Sequence, residues 1–494
     1  MLLLGIDVGT SSIKVSVVDG ASQRVLAAAQ YPETEREILS YGPGWAEQSP
    51  DTWWQDVKGA IAKVHTSNRY NPHDIGAIGI SYQMHGLVLL DKQDKVLRNS
   101  IIWCDSRAVP YGEAAFQKIG EDICLQHLLN SPGNFTASKL AWVKEQEPEA
   151  FARIGHMMLP GDFIAQRLTG TVTATPSSLS EGILWDFQAN EVSEDVMGYF
   201  GFDQRIIPPV QPVFSVHGRL LPEVAAELSL KVGTPVAYKA GDQPNNAFSL
   251  NVVEPGEVAA TAGTSGVIYA VSEGLTFDQQ SRVNSFAHVN HLPTANRIGV
   301  LLCINGTGIL NRWVRNQTGG TVSYAEMNEQ AGTIAPGSEG LLVLPFGNGA
   351  ERMLANKIVG AHLHNIDLNK HSSAHIFRAG QEGIAFAFRY GLDIMRQNGI
   401  NPTVIRAGKA NMFLSPVFIE AFVNATGVPV ELHHNDGSVG AALGAGVGAG
   451  YFAEPAEAFS RRDTTHTVEP GNTALYNELY AAWNEALQKH LAEN

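Results

Sequence analysis

A pattern of strand, small polar turn and strand occurs twice in this chain, and it constrains the fold more than any other feature. Residues 7–11 read DVGTS and residues 261–265 read TAGTS, each between segments that alternate in the manner of strands. Two GTS turns can arise by chance in a chain with 49 glycines. Matching strands on both sides of each turn nevertheless favour duplication of one unit. The sequence therefore predicts an α/β protein with two related domains rather than one continuous sheet.

The size and charge of the chain narrow the classes of function. Its 494 residues are too many for a single core. The formal net charge of −15 disfavours nucleic acid and anionic membranes as partners, although backbone amides and a metal ion can still hold a nucleotide. No apolar run approaches the roughly 20 residues that span a bilayer. Cys104, Cys124 and Cys303 are widely spaced and no basic leader is present, so we expect a cytoplasmic protein without a signal peptide.

Asp242 is the strongest single candidate for a catalytic group. Residues 234–240 read as a strand and Gly241 lets the backbone turn, so that Asp242 follows the carboxyl end of the strand. In open α/β sheets this edge is where ligands bind. An aspartate there, followed by Gln243 and a proline, is typical of a group that accepts a proton. The alternative is an Asx turn that closes a strand, since Asp and Asn favour turns without any catalytic role.

The two GTS turns are candidates for a clasp around phosphate groups. Asp7, at the end of the first strand, is placed to hold Mg²⁺, which usually keeps several waters. The alternative is a pair of ordinary β-hairpins, but an aspartate in one turn and another upstream of the second turn favour phosphate binding. Glycine permits close approach of the backbone, and the hydroxyl donors are Thr10, Ser11, Ser12, Thr264 and Ser265.

A further glycine-rich segment is predicted to be structural. Residues 444–449 (GAGVGA) fit the loose dinucleotide-binding pattern, but no long strand precedes them and no acidic partner follows at the expected distance. Gly440, Gly444 and Gly448 recur every four residues, which places them on one face of a helix. We therefore interpret the segment as a helix that packs closely against a neighbour. The chain also lacks the GxxxxGK[ST] pattern of P-loop proteins.

Transfer of a phosphoryl group to an alcohol requires a phosphate clasp, a metal ion and a base. Asp242 supplies the base and is also a candidate metal ligand, and its two roles stay open. The acceptor is expected to be a neutral polar molecule such as a sugar. For His85 a purely structural role stays equally open. The candidate sugar contacts follow predicted strands and are Met84, His85, Gly86, Trp103, Asp242 and Gln243.

Together these motifs resemble the FGGY family of carbohydrate kinases over the whole chain. The ordered motifs extend over nearly 440 residues, and so many in one order make the resemblance specific. They are residues 5–11 (GIDVGTS), 44–48 (GWAEQ), 53–54 (WW), 83–86 (QMHG), 102–107 (IWCDSR), 139–142 (KLAW), 241–242 (GD), 263–266 (GTSG) and 437–442 (GSVGAA).

The resemblance implies two domains of the ribonuclease H (actin-like ATPase) type with a cleft between them. It assigns residues 1–245 to an N-terminal sugar-binding domain and 246–494 to a C-terminal ATP-binding domain. Packing of the last helix, residues 473–491, back onto the first domain is left open. The implied partners are a sugar and ATP, without nucleic acid or membrane, and a homodimer stays open.

The resemblance also implies a reaction: ATP- and Mg²⁺-dependent phosphorylation of a ketose, first of all D-xylulose to D-xylulose 5-phosphate. Other acceptors stay open (ribulose, fuculose, rhamnulose, glycerol, gluconate), as does an actin-like ATPase switch that is not a kinase. Asp242 is implied to be the base for the 5-hydroxyl. Thr264, Gly306 and Gly408 are implied to lie on the adenine and phosphate side, where Lys409 and Asn411 follow Gly408. Family members often have three glycines where this chain reads Ala-Gly-Lys at 407–409, and Asn134 also departs from the family pattern.

Overall fold

The computed structural model describes residues 1–318, 320–434, 436–462, 464 and 466–493. Within these ranges no helix combines the length and the apolar character needed to cross a membrane. The strands are β1 (Leu2–Val8), β2 (Ile13–Asp19), β3 (Arg24–Tyr31), β4 (Glu47–Gln48), β5 (Ile75–Tyr82), β6 (Val88–Asp91), β7 (Ser100–Ile101), β8 (Ile154–Met158), β9 (Trp185–Asp186), β10 (Glu191–Val192), β11 (Phe214–Arg219), β12 (Pro235–Gly241), β13 (Glu257–Ala262), β14 (Gly266–Ser272), β15 (Asn284–Ala287), β16 (Ile298–Ile304), β17 (Leu342–Phe346), β18 (Gly360–His364), β19 (Val404–Gly408), β20 (Val430–His433) and β21 (His466–Val468).

Helices alternate with these strands. They are α1 (Pro50–His65), α2 (Val109–Ile119), α3 (Glu121–Ile123), α4 (Thr136–Gln146), α5 (Pro148–Phe151), α6 (Pro160–Thr169), α7 (Pro176–Glu181), α8 (Glu194–Phe200), α9 (Pro222–Leu228), α10 (Asp242–Ser249), α11 (Gly308–Gln317), α12 (Tyr324–Gly332), α13 (Ser373–Gln397), α14 (Pro416–Thr426), α15 (Gly437–Gly448) and α16 (Thr473–Glu493). Several short 3₁₀ segments occur between them, among them Arg352–Leu354 and Asn411–Leu414.

Two mixed sheets form the frame of the molecule, and their central strands follow the same plan. The first sheet has the order β11-β12-β5-β1-β2-β3, and the second has the order β15-β16-β14-β13-β19-β20-β21. In each sheet an antiparallel hairpin (β1–β2 or β13–β14) extends to a third antiparallel strand on one side. On the other side two parallel strands follow (β5 and β12, or β19 and β20). This shared order and direction are consistent with the predicted repeat of one unit, and the two-domain α/β fold is confirmed.

Helix α15 lies in the second half of the sequence but packs on the first sheet, against β1, β2, β5, β11 and β12. A Cβ atom added at Gly444 would lie 2.7 Å from the ring of Tyr238, and one at Gly448 would lie 1.7 Å from the carbonyl oxygen of Ala237. The sheet contributes a glycine to the same contact, because a Cβ at Gly5 would lie 1.8 Å from the carbonyl oxygen of Ser438. The predicted structural role of this glycine-rich helix is confirmed.

The connection between the halves is a helix, and the last helix packs mainly on the second half. The predicted boundary at residues 245/246 falls inside α10, which follows β12 directly. In the described residues, the main contacts of α16 are with α13, α14 and β17 of the second half. The reason is its buried face: Trp483 is fully buried and donates a hydrogen bond of 2.8 Å to the carbonyl oxygen of Val343.

Candidate functional site

The carboxyl edge of the first sheet brings together the residues that the sequence singled out. Strands β1, β5 and β12 are parallel neighbours, so their carboxyl ends lie side by side. Asp7 is opposite Ser81 on β5, and Gly241 is opposite Tyr82. Asp242 begins α10 immediately after β12. Asp242 therefore lies directly after the carboxyl end of a strand, as the sequence predicts.

Asp242 has the electrostatic setting of a proton acceptor. Its side chain is half-buried in the cleft, and this burial, with the charge of Asp7, raises the pKa of the Asp242 carboxyl to about 7. Gln243 opposes the shift by hydrogen-bonding the carboxylate through its backbone N–H and its side chain. A carboxyl whose pKa lies near neutrality is well matched to removing a proton from an alcohol as it reacts.

Asp7 is the second carboxylate at this edge, and its surroundings favour a cation. Burial raises its pKa, the nearby Ser81 hydroxyl opposes this, and the charge of Asp436 raises it further. Asp7 also lies against Gly437, where an added Cβ would be 2.6 Å from a carboxylate oxygen. Among the described residues no group of three or more His, Cys, Asp or Glu could hold a metal ion. Two oxygen donors of like charge fit Mg²⁺, which takes its remaining ligands from phosphate and water.

Met84 and Gly86 follow β5 and are held mainly by packing. Met84 is buried, and a Cβ at Gly241 would lie 2.6 Å from its side chain, so only glycine fits before Asp242. A Cβ at Gly86 would lie 2.7 Å from the ring of Pro160. Both glycines therefore let the backbone at the two strand ends approach its neighbours closely.

His85 is fixed in one orientation with one nitrogen left for a ligand. Its Nδ1 lies 3.0 Å from the carbonyl oxygen of Glu181, which can only accept, so Nδ1 carries the proton. Its backbone N–H donates to the Glu181 carboxylate at 3.0 Å, and Lys139 donates to its carbonyl oxygen at 2.7 Å. Burial, aided by the charge of Lys139, lowers the pKa of His85 to about 3. The neutral ring thus presents Nε2 as a hydrogen-bond acceptor.

A chain of hydrogen bonds connects Trp103 to the sheet edge. The ring of Trp103 is half-exposed, and its Nε1 donates to the Thr10 hydroxyl at 3.0 Å. Thr10 donates in turn to the side-chain oxygen of Gln83 at 3.2 Å, and its carbonyl oxygen accepts from Gln48 at 2.7 Å. The Thr10 hydroxyl is therefore engaged on the side of the site that contains Trp103. The hydroxyls of Ser11 and Ser12, in the same turn, are half-buried.

Two buried charges near the site have structural roles. Asp105, which also follows a strand, is fully buried and accepts from Arg107 at 2.7 Å and from the backbone N–H of Ala46 at 2.6 Å. Lys239, which precedes the catalytic candidate on β12, donates to Asp162 at 2.5 Å and to the carbonyl oxygen of Thr173 at 2.7 Å. These contacts place both groups in the framework beneath the site.

The second GTS turn opens into a cavity of about 320 Å³, a size that suits a small-molecule ligand. Thr264 and Asn411 from the predicted set line this cavity. Ser265 is exposed beside Thr264, and Gly408 ends β19 next to exposed Lys409. The cavity is lined by Ala262, Gly263, Thr264, Gly308, Ile309, Asn311, Arg312, Tyr324, Asn328, Asn411, Met412, Leu414 and Ser415.

Gly306 lies two residues beyond the end of β16. Its backbone N–H donates to Glu351 at 3.2 Å, and the N–H of Asn305 donates to the same carboxylate at 3.0 Å. A Cβ at Gly306 would lie 1.8 Å from the carbonyl oxygen of Pro345. Burial raises the pKa of Glu351 to about 7.

Several residues of this region were missed by the sequence analysis. Glu181 ends α7 and is fully buried, where it accepts from the Tyr82 hydroxyl at 2.7 Å. Asn328 lines the cavity and accepts from Gln381 at 3.1 Å. Each comes from a segment far from the glycine-rich turns. A lone acid within the otherwise uncharged residues 168–185 was the one available signal for Glu181.

Comparison with known families gives two matches that together cover most of the chain. The N-terminal domain of the FGGY family of carbohydrate kinases matches residues 2–249. The C-terminal domain of the same family matches residues 258–450. The gap between the matches, residues 250–257, begins directly after α10 and ends at the first residue of β13.

Similar proteins agree with these matches over nearly full length. The chain is 30% identical to the xylulose kinase of Bacillus subtilis over 490 residues, which cover 97% of this chain and 95% of that protein. It is 29% identical to the xylulose kinase of Escherichia coli, with 92% and 90% covered. The crystal structure of xylulose kinase from Rhodospirillum rubrum superposes with a TM-score of 0.89 over 99% of both chains, and at 24% identity it shows the shared fold.

Proposed function

The chain belongs to the FGGY family of carbohydrate kinases, and from this premise we propose that it phosphorylates D-xylulose on the 5-hydroxyl group, with ATP as the donor. The observation that supports the proposal most strongly is the half-buried carboxyl of Asp242, with a pKa near neutrality, at the edge where three parallel strands end. The names of the similar proteins support D-xylulose as the acceptor.

The proposed reaction uses Asp242 as the base. The oxygen of the 5-hydroxyl forms a bond to the γ-phosphorus of ATP while the bond from that phosphorus to the β–γ bridging oxygen breaks. The hydroxyl proton passes to the Asp242 carboxylate, and the products are D-xylulose 5-phosphate and ADP. Gln243 holds the carboxylate in position through its two hydrogen bonds.

The sugar side of the proposal follows from the donors and acceptors that face the cleft. Neutral His85 would accept a hydrogen bond from a sugar hydroxyl at Nε2, because its Nδ1–H is donated to Glu181. The half-exposed ring of Trp103 offers an apolar face to the C–H groups of the sugar, and its orientation is set by Thr10. Met84 and Gly86 would shape the remaining wall, and Gln243 would contact the sugar beside the base.

The nucleotide side would use the second sheet. Thr264 and Ser265, which are both exposed in the second GTS turn, would donate hydrogen bonds to phosphate oxygens beside the cavity. Gly408, Lys409 and Asn411 would border the nucleoside, and Gly306 would let the backbone approach the phosphates. Asp7 and Asp242 would hold Mg²⁺, which neutralises phosphate charge when it is bound. We also propose a cytoplasmic location, and a homodimer remains open.

A sugar panel tests the proposal. ADP release is measured with ATP and Mg²⁺ against D-xylulose, L-xylulose, D-ribulose, L-ribulose, L-fuculose, L-rhamnulose, glycerol and gluconate. We expect turnover with D-xylulose to exceed that with every other acceptor. A higher rate on another acceptor would leave the assignment as a kinase intact and change the assigned acceptor. Asn134 would then be the first residue examined for its effect on specificity. ATP hydrolysis that no acceptor stimulates would overturn the proposal in favour of an ATPase switch.

A further inference from the structure

The cavity beside the second GTS turn has two ends with different linings. At one end the backbone N–H of Ile309 donates to the carbonyl oxygen of Thr264 at 3.0 Å, so α11 starts directly against the turn. Arg315 lies about two helical turns, or about 10 Å, beyond the first residue of α11. Its guanidinium lies 4.2 Å from the centre of the ring of Tyr324, which lines the cavity. Tyr324 therefore lies toward the end of the cavity away from the turn.

This far end of the cavity suits the base of a nucleotide. The ring of Tyr324 is half-exposed, and the neighbouring lining includes the apolar side chains of Met412 and Leu414. Aromatic and apolar side chains pack against the flat face of a heteroaromatic ring. A nucleotide whose phosphates lie at the GTS turn would therefore extend its base to this end.

Asn328 is a polar side chain on the same face of α12, because it follows Tyr324 by one helical turn. Its side-chain oxygen accepts a hydrogen bond from Nε2 of Gln381 at 3.1 Å. Gln381 is fully buried in α13, and its own side-chain oxygen accepts from the Ser415 hydroxyl at 2.6 Å. A buried chain of hydrogen bonds thus leads from the start of α14 to the cavity.

The direction of these hydrogen bonds follows from Ser415. Its Oγ caps α14 by accepting the backbone N–H of Phe418 at 3.3 Å, which leaves its own proton to be donated. The 2.6 Å contact with Gln381 is close to the length of an O–H···O bond, about 2.7 Å, and short for N–H···O, about 2.9 Å. The Gln381 atom beside Ser415 is therefore the oxygen, and its nitrogen faces Asn328.

The side chain of Asn328 is thereby fixed with its oxygen toward Gln381. Its NH₂ group remains for a ligand, and within the described ranges it has no hydrogen bond to the protein. Asn328 is half-buried, so this donor faces the cavity from a partly desolvated position. A site that presents only a donor at this point selects ligands that have an acceptor there.

Purine bases differ in this respect at ring atom N1. Adenine has a lone pair on N1 and accepts a hydrogen bond, whereas hypoxanthine and guanine carry a proton on N1 and donate. A donor opposite N1 therefore pairs with adenine. Opposite the other two bases it leaves two N–H groups facing each other without partners, which is costly in a partly desolvated site.

We propose that Asn328 determines the choice of nucleotide by donating from its NH₂ group to N1 of adenine. Gln381 and Ser415 act as positioning residues that hold the amide in this orientation. The inference rests on the proposed kinase function and extends it, because it names the residue that selects ATP among the purine nucleotides.

The test compares ATP with ITP, whose base has a proton on N1 and an oxygen in place of the amino group. In wild type we expect kcat/KM with D-xylulose to be at least about tenfold higher for ATP than for ITP. Asn328→Asp keeps the acceptor for Gln381 but replaces the NH₂ donor with an oxygen, so the ratio should reverse in favour of ITP. The change should appear in the KM for the nucleotide, with kcat within about threefold of wild type.

Two further variants separate recognition of the base from general damage to the cavity. Asn328→Leu removes the donor without adding an acceptor, and its ratio of ATP to ITP should fall to within about threefold of one. Gln330→Glu is the matched control, because it makes the same change of amide to acid at an exposed residue of α12. Its ratio should equal that of wild type.

The inference is overturned if wild type uses ATP and ITP equally, if Asn328→Asp keeps the wild-type ratio, or if Gln330→Glu shifts it equally. A wild-type protein that phosphorylates no acceptor would instead refute the proposed function. Calorimetry with ADP and IDP in the presence of Mg²⁺ then tests the inference separately. It requires tighter binding of ADP in wild type and a reversed order in Asn328→Asp, and the same order in both proteins, or no binding of ADP to wild type, contradicts it.

Discussion

The two GTS hairpins have the same backbone plan but use their threonines differently. Thr10 is half-buried, donates to Gln83 and accepts from Trp103, so its hydroxyl belongs to the hydrogen-bond network around Trp103. Thr264, at the equivalent place in the second sheet, is exposed and lines the cavity of about 320 Å³. Its backbone carbonyl accepts a hydrogen bond from the N–H of Ile309. The comparison shows that one backbone plan places two equivalent threonines in different surroundings.

The two sheets also differ in what covers them and in charge. The first sheet is covered by α15, which approaches so closely that Gly5 cannot have a side chain, whereas the equivalent position in β13 is Ala259. The first edge carries Asp7, and the equivalent position in the second hairpin is Thr261. The acidic edge suits proton removal and metal binding, and the uncharged edge suits an anionic nucleotide.

The largest effect is expected on the free energy of unfolding, from a substitution that disturbs the close contact between α15 and the first sheet. Gly5→Ala places a methyl group 1.8 Å from a backbone oxygen of α15, which cannot move without its helix, so we expect a loss of at least about 3 kcal/mol in the free energy of unfolding. The matched change Ala259→Gly should cost only about 1 kcal/mol, from added backbone entropy in a strand. Urea unfolding measures both losses. Equal losses would contradict the expectation that contact with α15 makes Gly5 the more sensitive of the two positions.

A smaller effect is expected from the two threonines. Thr264→Val removes a hydroxyl from the cavity, and we expect the KM for ATP to rise about tenfold while the KM for the sugar stays within about twofold. Thr10→Val removes the acceptor of Trp103, so we expect the KM for the sugar to rise severalfold and that for ATP to stay constant. Steady-state kinetics with each substrate varied measure both constants. An equal rise of the KM for ATP in both variants would contradict this difference and would support the sequence-based prediction that both turns bind phosphate.

The smallest effect is expected on the pH dependence of the free energy of unfolding, which the Asp242 carboxyl influences. The ordinary pKa of an aspartate is 3.8, whereas that of Asp242 is about 7, so the folded protein holds this proton longer than the unfolded chain does. Stability should therefore fall as pH rises from about 4 to about 7. Asp242→Asn removes this cost and should be about 1 kcal/mol more stable than wild type at pH 8, since a half-buried carboxylate is partly screened by water.

That difference in stability should vanish below about pH 4, where both states hold the proton. Denaturant unfolding at several pH values measures it. Thr264→Val serves as the control, because its stability relative to wild type should not depend on pH. A stability difference for Asp242→Asn that is constant across the pH range would contradict the raised pKa.

Local patterns in the sequence were sufficient for the repeated hairpins, the place of Asp242 and the close packing of α15. Each depends on residues near one another in the chain, such as the glycines at spacing four. The start of α1 shows where local reasoning weakens. The sequence alone indicates one helix over residues 47–64 that Ser49 can cap. Ser49 does cap α1, but Glu47 lies in β4. Glu47 is drawn there by Arg98 and Arg107, at 2.7 and 2.8 Å, which are distant in sequence.

The rest of the site depends on contacts across the fold. Glu181 fixes His85 from a position nearly 100 residues later in the chain. Glu181 carries no motif, because a buried acid becomes informative only when its neighbours are known. The domain assignment and the roles of individual site residues stay predictions until ligands are bound.

The most direct test of the account is the single-turnover rate of phosphoryl transfer from ATP to D-xylulose in Asp242→Asn, with enzyme in excess over ATP. Asp203→Asn, at an exposed residue paired with Arg205, is the matched control. The account predicts a rate at least about 1,000-fold below wild type in Asp242→Asn, with binding of ATP and sugar retained, and an unchanged rate in the control. A rate in Asp242→Asn within about tenfold of wild type would contradict the assignment of Asp242 as the base.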